Sequence, residues 1–293
     1  MKVYVNGDLV DAAKAKISVF DRGFLFGDGL FETLLARDRG LLFWERHWLR
    51  LTRSAACLGI EPPEEEVVLT ALGKVFVASG LETALLRVTL TRGLGGAGMF
   101  VEPGNRPTLI VTARPAPEVS QREFLKGWSV TIAGTRRGAL FGGREMIKST
   151  SYISSILAAE YARCVGADEA VMLDELGGVT EGSRTNIFAV LDGRLVTPSL
   201  DGGVLAGVTR EVIMELSGEI STGCTERLLK SRDLVKADEI FMTGTAYGIM
   251  PVSCFDGQTL AGEQPGFLTR TLALGYQELV KREGWRNGGY RKD

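Results

Sequence analysis

The stretch EAVMLDELGGVTEGSRTNIFAV, residues 169–190, decides the fold class of this chain. It opens on the strand EAVMLD and leads to a hairpin turn at Asp192-Gly193, and a helix is predicted before it from about 150 to 164. Outward on the N-terminal side lies the strand-like run WSVTIAG. On the C-terminal side a helix opens after Gly207, the strand DEIFMT leads into a loop at Gly244, and a last helix begins near Gln264. Strands and helices are intermixed without a regular β-α-β beat, which predicts an α+β fold rather than a doubly wound sheet.

The N-terminal part reads the same way. Asn6-Gly7 tolerates the positive φ angles of a tight turn, so the chain starts with a β-hairpin. From Glu45 to Leu58 the apolar residues Trp48, Leu51, Ala55 and Leu58 recur at helical spacing, and Gly59 follows as a stop. A second helix, EEEVVLTALGKVFVAS, ends at Gly80, and two strand-like runs follow at 84–91 and 107–113. The polar, proline-bearing segment RPAPEVSQREFLKG at 114–127 lies between strand-like runs. It predicts a first domain at 1–117, a linker at 118–127 and a second domain at 128–293.

Composition narrows the function. The 293 residues are 45% apolar and 24% charged, as in an ordinary globular protein, and 34 Lys and Arg nearly balance 36 Asp and Glu. No global field draws the chain to nucleic acid or to an anionic membrane, so an anionic ligand must be held by local groups. Cys57, Cys164, Cys224 and Cys254 form no C-x-x-C pair, which argues against a zinc site or a disulfide framework. The opening MKVYVNGDLVDAAK lacks the apolar stretch of a signal peptide, and no run of about 18 apolar residues is present. The reading is a soluble cytoplasmic protein. Gly93, Gly95 and Gly98 match G-x-G-x-x-G, but MFVEPG follows instead of an opening helix, so the dinucleotide reading fails. His47 is the only histidine, which argues against a histidine metal cluster and leaves lysine as the nucleophile to look for.

That lysine stands in a recognisable setting. The stretches DRGFLFGDGLFETLLA (21–36), ERHWLRL (45–51), IKSTSYISSILAAEYA (147–162), residues 169–190 above, GVLAGVTREVI (203–213) and DEIFMTGTAYGIMPV (238–252) follow one another in a family's order. Together they resemble the class IV, fold-type IV enzymes that use pyridoxal 5'-phosphate. That family includes branched-chain aminotransferases, D-amino-acid aminotransferases and aminodeoxychorismate lyase. The resemblance implies a homodimer whose subunits have a smaller N-terminal α+β domain and a larger, β-rich, barrel-like C-terminal domain. It places Lys148 as the Schiff-base lysine, just before a helix whose positive end lowers the amine pKa. It gives Glu181 the place facing the pyridine nitrogen, where an anion keeps the ring protonated.

For the cofactor phosphate the resemblance implies Arg50, the backbone and side chain at Val208 and Thr209 after Gly207, and the hydroxyl of Thr245. Taken alone, Arg50 reads as a solvated helix arginine and Thr209 as a helix cap. Tyr152 is placed to reach the phenolic oxygen of the cofactor, although branched-chain enzymes carry that tyrosine one position later; a core tyrosine is the other reading. The substrate carboxylate falls to Ala246 in the Gly244–Ala246 turn and to Arg92 or Arg87. Arg92, ahead of the glycine-rich loop, is preferred, and Arg87 reads equally as a structural ion-pair residue.

The customary substrate residues of the two aminotransferase branches are absent. Leu35 stands where branched-chain enzymes have an arginine, and LGGAGM lacks the R-x-H trap of the D-amino-acid enzymes. The expected activity is amino transfer between an amino acid and a 2-oxo acid. The alternative is release of pyruvate and p-aminobenzoate from 4-amino-4-deoxychorismate.

Overall fold

Asn6 and Gly7 have φ angles of 47° and 112°, the positive values a two-residue hairpin demands. The chain therefore reverses between β1 (Lys2–Val5) and β2 (Asp8–Asp11). After α1 (Arg22–Phe26) come β3 (Gly29–Arg37) and β4 (Gly40–Leu41), then α2 (Trp44–Leu58), α3 (Glu65–Ser79), β5 (Thr83–Thr91) and β6 (Thr108–Pro115). This computed structural model describes residues 1–37, 40–95, 98–101, 106–136 and 147–283. The expected second domain thus includes two stretches, 137–146 and 284–293, that lie outside the described residues.

The first six strands form one antiparallel sheet in the order β2-β1-β6-β5-β3-β4. Side chains alternate across a strand, and the pattern sorts them. Leu30, Leu34 and Ala36 of β3, Leu86, Val88 and Leu90 of β5, and Leu109 and Val111 of β6 are buried in one core with Leu51 and Ala55 of α2 and Val68, Leu72 and Val75 of α3. The opposite parity puts Phe31, Thr33 and Leu35 of β3 and Arg87 and Thr89 of β5 on the other face. Gly59 and Gly80 end the two helices in the left-handed conformation.

The remaining elements are α4 (Gln121–Lys126), β7 (Trp128–Arg136), α5 (Ile153–Cys164), β8 (Glu169–Leu173), β9 (Val179–Gly182), β10 (Asn186–Leu191), β11 (Arg194–Pro198), α6 (Val208–Glu219), β12 (Cys224–Arg227), α7 (Ser231–Val235), β13 (Glu239–Gly244), β14 (Gly248–Phe255), β15 (Gln258–Thr259) and α8 (Phe267–Glu283). Their strands make a second sheet in the order β12-β11-β10-β13-β14-β7-β8-β9, with β15 beside β14. The sheet curls. Its last strand, β9, turns directly into the interior strand β10, with Gly182 N–H donating to Thr185 O at 2.7 Å. Parallel β7 and β8 are joined through α5, the kind of crossover that a parallel pair needs. The core of this sheet is built from Ile187, Ala189, Ile240, Met242, Val252 and Phe255, all buried.

The chain divides into two units, Met1–Ala116 with Ile147–Ser151 and Val280–Asp293, and Pro117–Met146 with Tyr152–Leu279. Two sequence expectations change here. Residues 118–127 are not a bare linker, because they contain α4, closed by a capping box in which Ser120 accepts from Glu123 N–H and Glu123 accepts from Ser120 N–H. The segment around Lys148 belongs to the first unit, not to the second. Phe31 N–H donates to Lys148 O at 3.0 Å and Thr150 N–H to Gly29 O at 2.9 Å, so residues 147–151 run beside β3.

Candidate active site

In the first unit the site is organised by two neighbouring residues of β3 that point to opposite faces. Phe31 lies on the face opposite the helices and is itself buried. Its ring carries the guanidinium of Arg87 at 3.6 Å and the ammonium Nζ of Lys148 at 4.7 Å from the centroid. Glu32 points into the core against α2. There Arg50 donates from Nε to Glu32 Oε1 and from Nη2 to Oε2, both at 2.7 Å, and His47 Nδ1 lies 2.8 Å from Oε2. Burial alone would raise the Glu32 carboxyl, but the charge and paired bonds of Arg50, with His47, outweigh it and hold the group well below the usual carboxylate range. Burial lowers the His47 imidazole, helped by the nearby charges of Arg50 and Lys148 and only partly offset by Glu32. A neutral histidine in this place fixes the carboxylate by donating a hydrogen bond to it from Nδ1–H, which the sequence did not reveal.

A second carboxylate, also missed, is Asp28. Arg92 donates to it from Nε at 2.7 Å and Nη2 at 3.1 Å, and Arg22 from Nε at 2.9 Å. Arg92 also donates to Leu58 O at 2.7 Å and Gly59 O at 3.0 Å, carbonyls at the end of α2. Arg22 holds Gly98 O at 2.6 Å and Gly95 O at 3.2 Å in the glycine-rich loop. Burial opposes ionisation of Asp28, but the two arginines prevail and keep its pKa lowered.

In the second unit Glu181, on β9, is buried and held by the chain around it. Its Oε2 accepts from Leu205 N–H at 2.9 Å and from Asn186 Nδ2 at 3.2 Å. Asn186 also donates to Leu205 O at 2.9 Å and abuts Gly207, where an added Cβ would collide with its Oδ1. Gly207 is the N-cap of α6 and has no side chain to cap the first turn. Val208 and Thr209 are buried in that turn, whose N–H groups are suited to an anion. The β13–β14 turn carries half-buried Thr245 and Ala246. Just before it, the buried hydroxyl of Thr243 has no hydrogen-bond partner among the described residues. An uncapped helix start and an unmatched buried hydroxyl beside a second threonine fit a phosphate, while a buried carboxylate held in place by its neighbours fits a protonated ring nitrogen.

The family model for amino-transferase class IV matches residues 29–255. The chain belongs to the class IV aminotransferases. Among its relatives are a putative branched-chain-amino-acid aminotransferase of Methanocaldococcus jannaschii, 36% identical and covering 97% of this chain and 98% of the relative. A D-alanine aminotransferase of Listeria innocua is 32% identical, with 96% and 97% covered. The branched-chain aminotransferase of Thermoproteus uzoniensis, solved with norvaline, superposes with a TM-score of 0.86 at 32% identity, 97% of each chain covered. The 4-amino-4-deoxychorismate lyase of Pseudomonas aeruginosa gives 0.82 at 29%, covering 97% of this chain and 100% of that one.

The aminotransferase is therefore an enzyme of fold type IV, a family that works with pyridoxal phosphate. Its sequence-predicted residues fall into two sets. Arg50, Arg87, Arg92 and Lys148 lie in the first unit, and Tyr152, Glu181, Val208, Thr209, Thr245 and Ala246 in the second. Tyr152 is half-buried at the N-cap of α5. That helix begins at Ile153, so Lys148 is not at its positive end as expected, but is set by pairing with β3. The two arginines expected at the substrate, Arg92 and Arg87, lie in different settings. The Arg92 guanidinium is buried and engaged on every nitrogen by Asp28 and α2, while Arg87 shares the Phe31 ring with Lys148.

Proposed function

We propose that the enzyme uses pyridoxal phosphate to exchange the amino group of an amino acid with a 2-oxo acid. The observation that carries this reading is the position of Lys148, its backbone tied to β3 and its Nζ over Phe31 on the face that carries Arg87. When bound, the cofactor supplies a carbonyl that condenses with amines and a ring that accepts the electron pair left at a substrate Cα. Lys148 holds the cofactor and, once displaced by the substrate amine, removes the proton from Cα. Glu181, fixed by Asn186 and Leu205 N–H, keeps the ring nitrogen protonated. Arg50, oriented by Glu32, holds the phosphate with the first turn of α6 at Val208 and Thr209 and with Thr245. Tyr152 bonds the phenolic oxygen. Arg87 takes the substrate carboxylate, with the backbone at Ala246 as a second donor, in place of Arg92.

The enzyme acts as a homodimer in this reading, and the exposed Phe20, Phe24, Met99 and Phe100 are apolar surface for a second copy to cover. Borohydride treatment should attach the cofactor to the peptide containing Lys148, and Lys148→Ala should abolish turnover. Labelling of another lysine, with Lys148→Ala fully active, would overturn the assignment. Assay of oxo-acid formation from L- and D-amino acids, run beside pyruvate release from 4-amino-4-deoxychorismate, separates amino transfer from the lyase alternative. That alternative uses the same Lys148 proton transfer.

A further inference from the structure

The C-terminal helix α8 buries Leu268, Leu272, Ala273 and Tyr276 along one stripe. It is fixed to β13 at its start, where Glu239 accepts from Leu268 N–H at 3.0 Å, Thr269 N–H at 2.8 Å and the Thr269 hydroxyl at 2.6 Å. Further along the helix, Tyr276 reaches two elements assigned above to the cofactor phosphate. Its ring lies against Gly248, where an added Cβ would sit 2.8 Å from Cε1, so it closes on the far end of the turn that carries Thr245. Its hydroxyl hydrogen-bonds the side chain of Thr209 in the first turn of α6. A phenylalanine would fill the same apolar space, and a buried phenol is costly unless its hydroxyl is matched. We infer that Tyr276 is a positioning residue for the phosphate-holding hydroxyl of Thr209, an inference that rests on the cofactor reading above.

The direction of the bond is set by the phosphate, which at neutral pH offers acceptors and takes the Thr209 proton. A threonine hydroxyl has one proton and can accept others' bonds. Burial pushes the Tyr276 phenol up to about 12, so the phenol keeps its proton at neutral pH and has it to donate. With Tyr276 donating to Thr209 Oγ1, the Thr209 proton is directed elsewhere, and the dianion at the start of α6 is its acceptor. Without that bond the Thr209 hydroxyl rotates among alternatives.

The test compares binding of pyridoxal phosphate and of unphosphorylated pyridoxal to the apoenzyme. Thr209→Val should weaken pyridoxal phosphate about tenfold or more, as loss of a bond to a charged group does. Tyr276→Phe should weaken it about three- to tenfold, leave pyridoxal unchanged, and add nothing in the Thr209→Val background. Thr209→Ser, which keeps the hydroxyl, should retain both wild-type affinity and sensitivity to Tyr276→Phe. No effect of Thr209→Val would sink the cofactor reading itself. An effect of Thr209→Val with none of Tyr276→Phe, equal losses for both ligands, or additive losses in the double variant would each overturn the role of Tyr276. Should Tyr276→Phe not fold, tyrosine Raman spectra of wild type and Thr209→Val read the bond from its other end. One of the six tyrosines should change its hydroxyl state, and no change overturns the inference.

Discussion

Replacing Arg92 by alanine should damage the fold and spare the substrate. The side chain makes four hydrogen bonds, two to Asp28 at 2.7 and 3.1 Å and two to the carbonyls of Leu58 and Gly59 at 2.7 and 3.0 Å. Breaking a buried ion pair costs about 3–5 kcal/mol when one charge is left unmatched. Asp28 keeps Arg22, which favours the lower figure, but the two α2 carbonyls lose their partner as well, at about 1 kcal/mol or more. A net loss of about 3–5 kcal/mol corresponds to a melting temperature lower by about 6–10 °C for a chain of this size. Arg87 is exposed on β5, and its stacking on Phe31 is worth about 0.5–1 kcal/mol. Arg87→Ala should therefore shift Tm by no more than about 2 °C, yet raise KM for the amino acid about tenfold or more through the lost carboxylate contact. Thermal unfolding and steady-state kinetics on the two variants decide the matter. Wild-type Tm with a raised KM in Arg92→Ala, or a wild-type KM in Arg87→Ala, would refute the reasoning.

Glu32→Gln removes the anion that orients Arg50 and His47, so affinity for pyridoxal phosphate should fall about tenfold; equilibrium titration of the apoenzyme showing unchanged affinity would separate Arg50 from Glu32. Glu181→Gln should slow Cα deprotonation, measured with Cα-deuterated substrate, while cofactor affinity changes little; a loss of affinity as large as that of Arg50→Ala would contradict this division of roles. Stability should rise with pH from acid to neutral. Below the unfolded value of 6.5 the unfolded chain protonates its histidine while buried His47, with its lowered pKa, does not. The Glu32 contribution is present above the unfolded value of 4.5 and is lost as pH falls below it toward the depressed folded value. Denaturant titrations that stay flat between about pH 7 and pH 4 would show that this buried cluster does not titrate as argued.

Much of the fold is written locally. The hairpin turns at Asn6-Gly7 and Asp192-Gly193, the helices ended by Gly59 and Gly80, and the helix after Gly207 follow from periodicity, turn chemistry and caps, which act within a few residues. The Ser120-x-x-Glu123 signal of α4 was equally local, but the proline-bearing composition around it read as a linker. The family is legible because whole stretches resemble known enzymes in order, and the same stretches single out Lys148 and Glu181 as candidates.

What tertiary structure alone decided is which distant groups meet. The alternation of Leu86, Val88 and Leu90 in β5 already puts Arg87 on the opposite face, but only the pairing of residues 147–151 with β3 identifies that face as the one carrying Lys148. Arg92 looked better placed for a ligand because it precedes a glycine-rich loop. Its partners, however, are Asp28, 64 positions back, and the last turn of α2. Glu32 meets Arg50 only once α2 packs on the sheet. Local sequence sets a residue's backbone conformation and the face it occupies, but the partner of a buried charge is chosen by chain topology, because the attraction that pairs it acts between segments brought together by the core and not by sequence spacing.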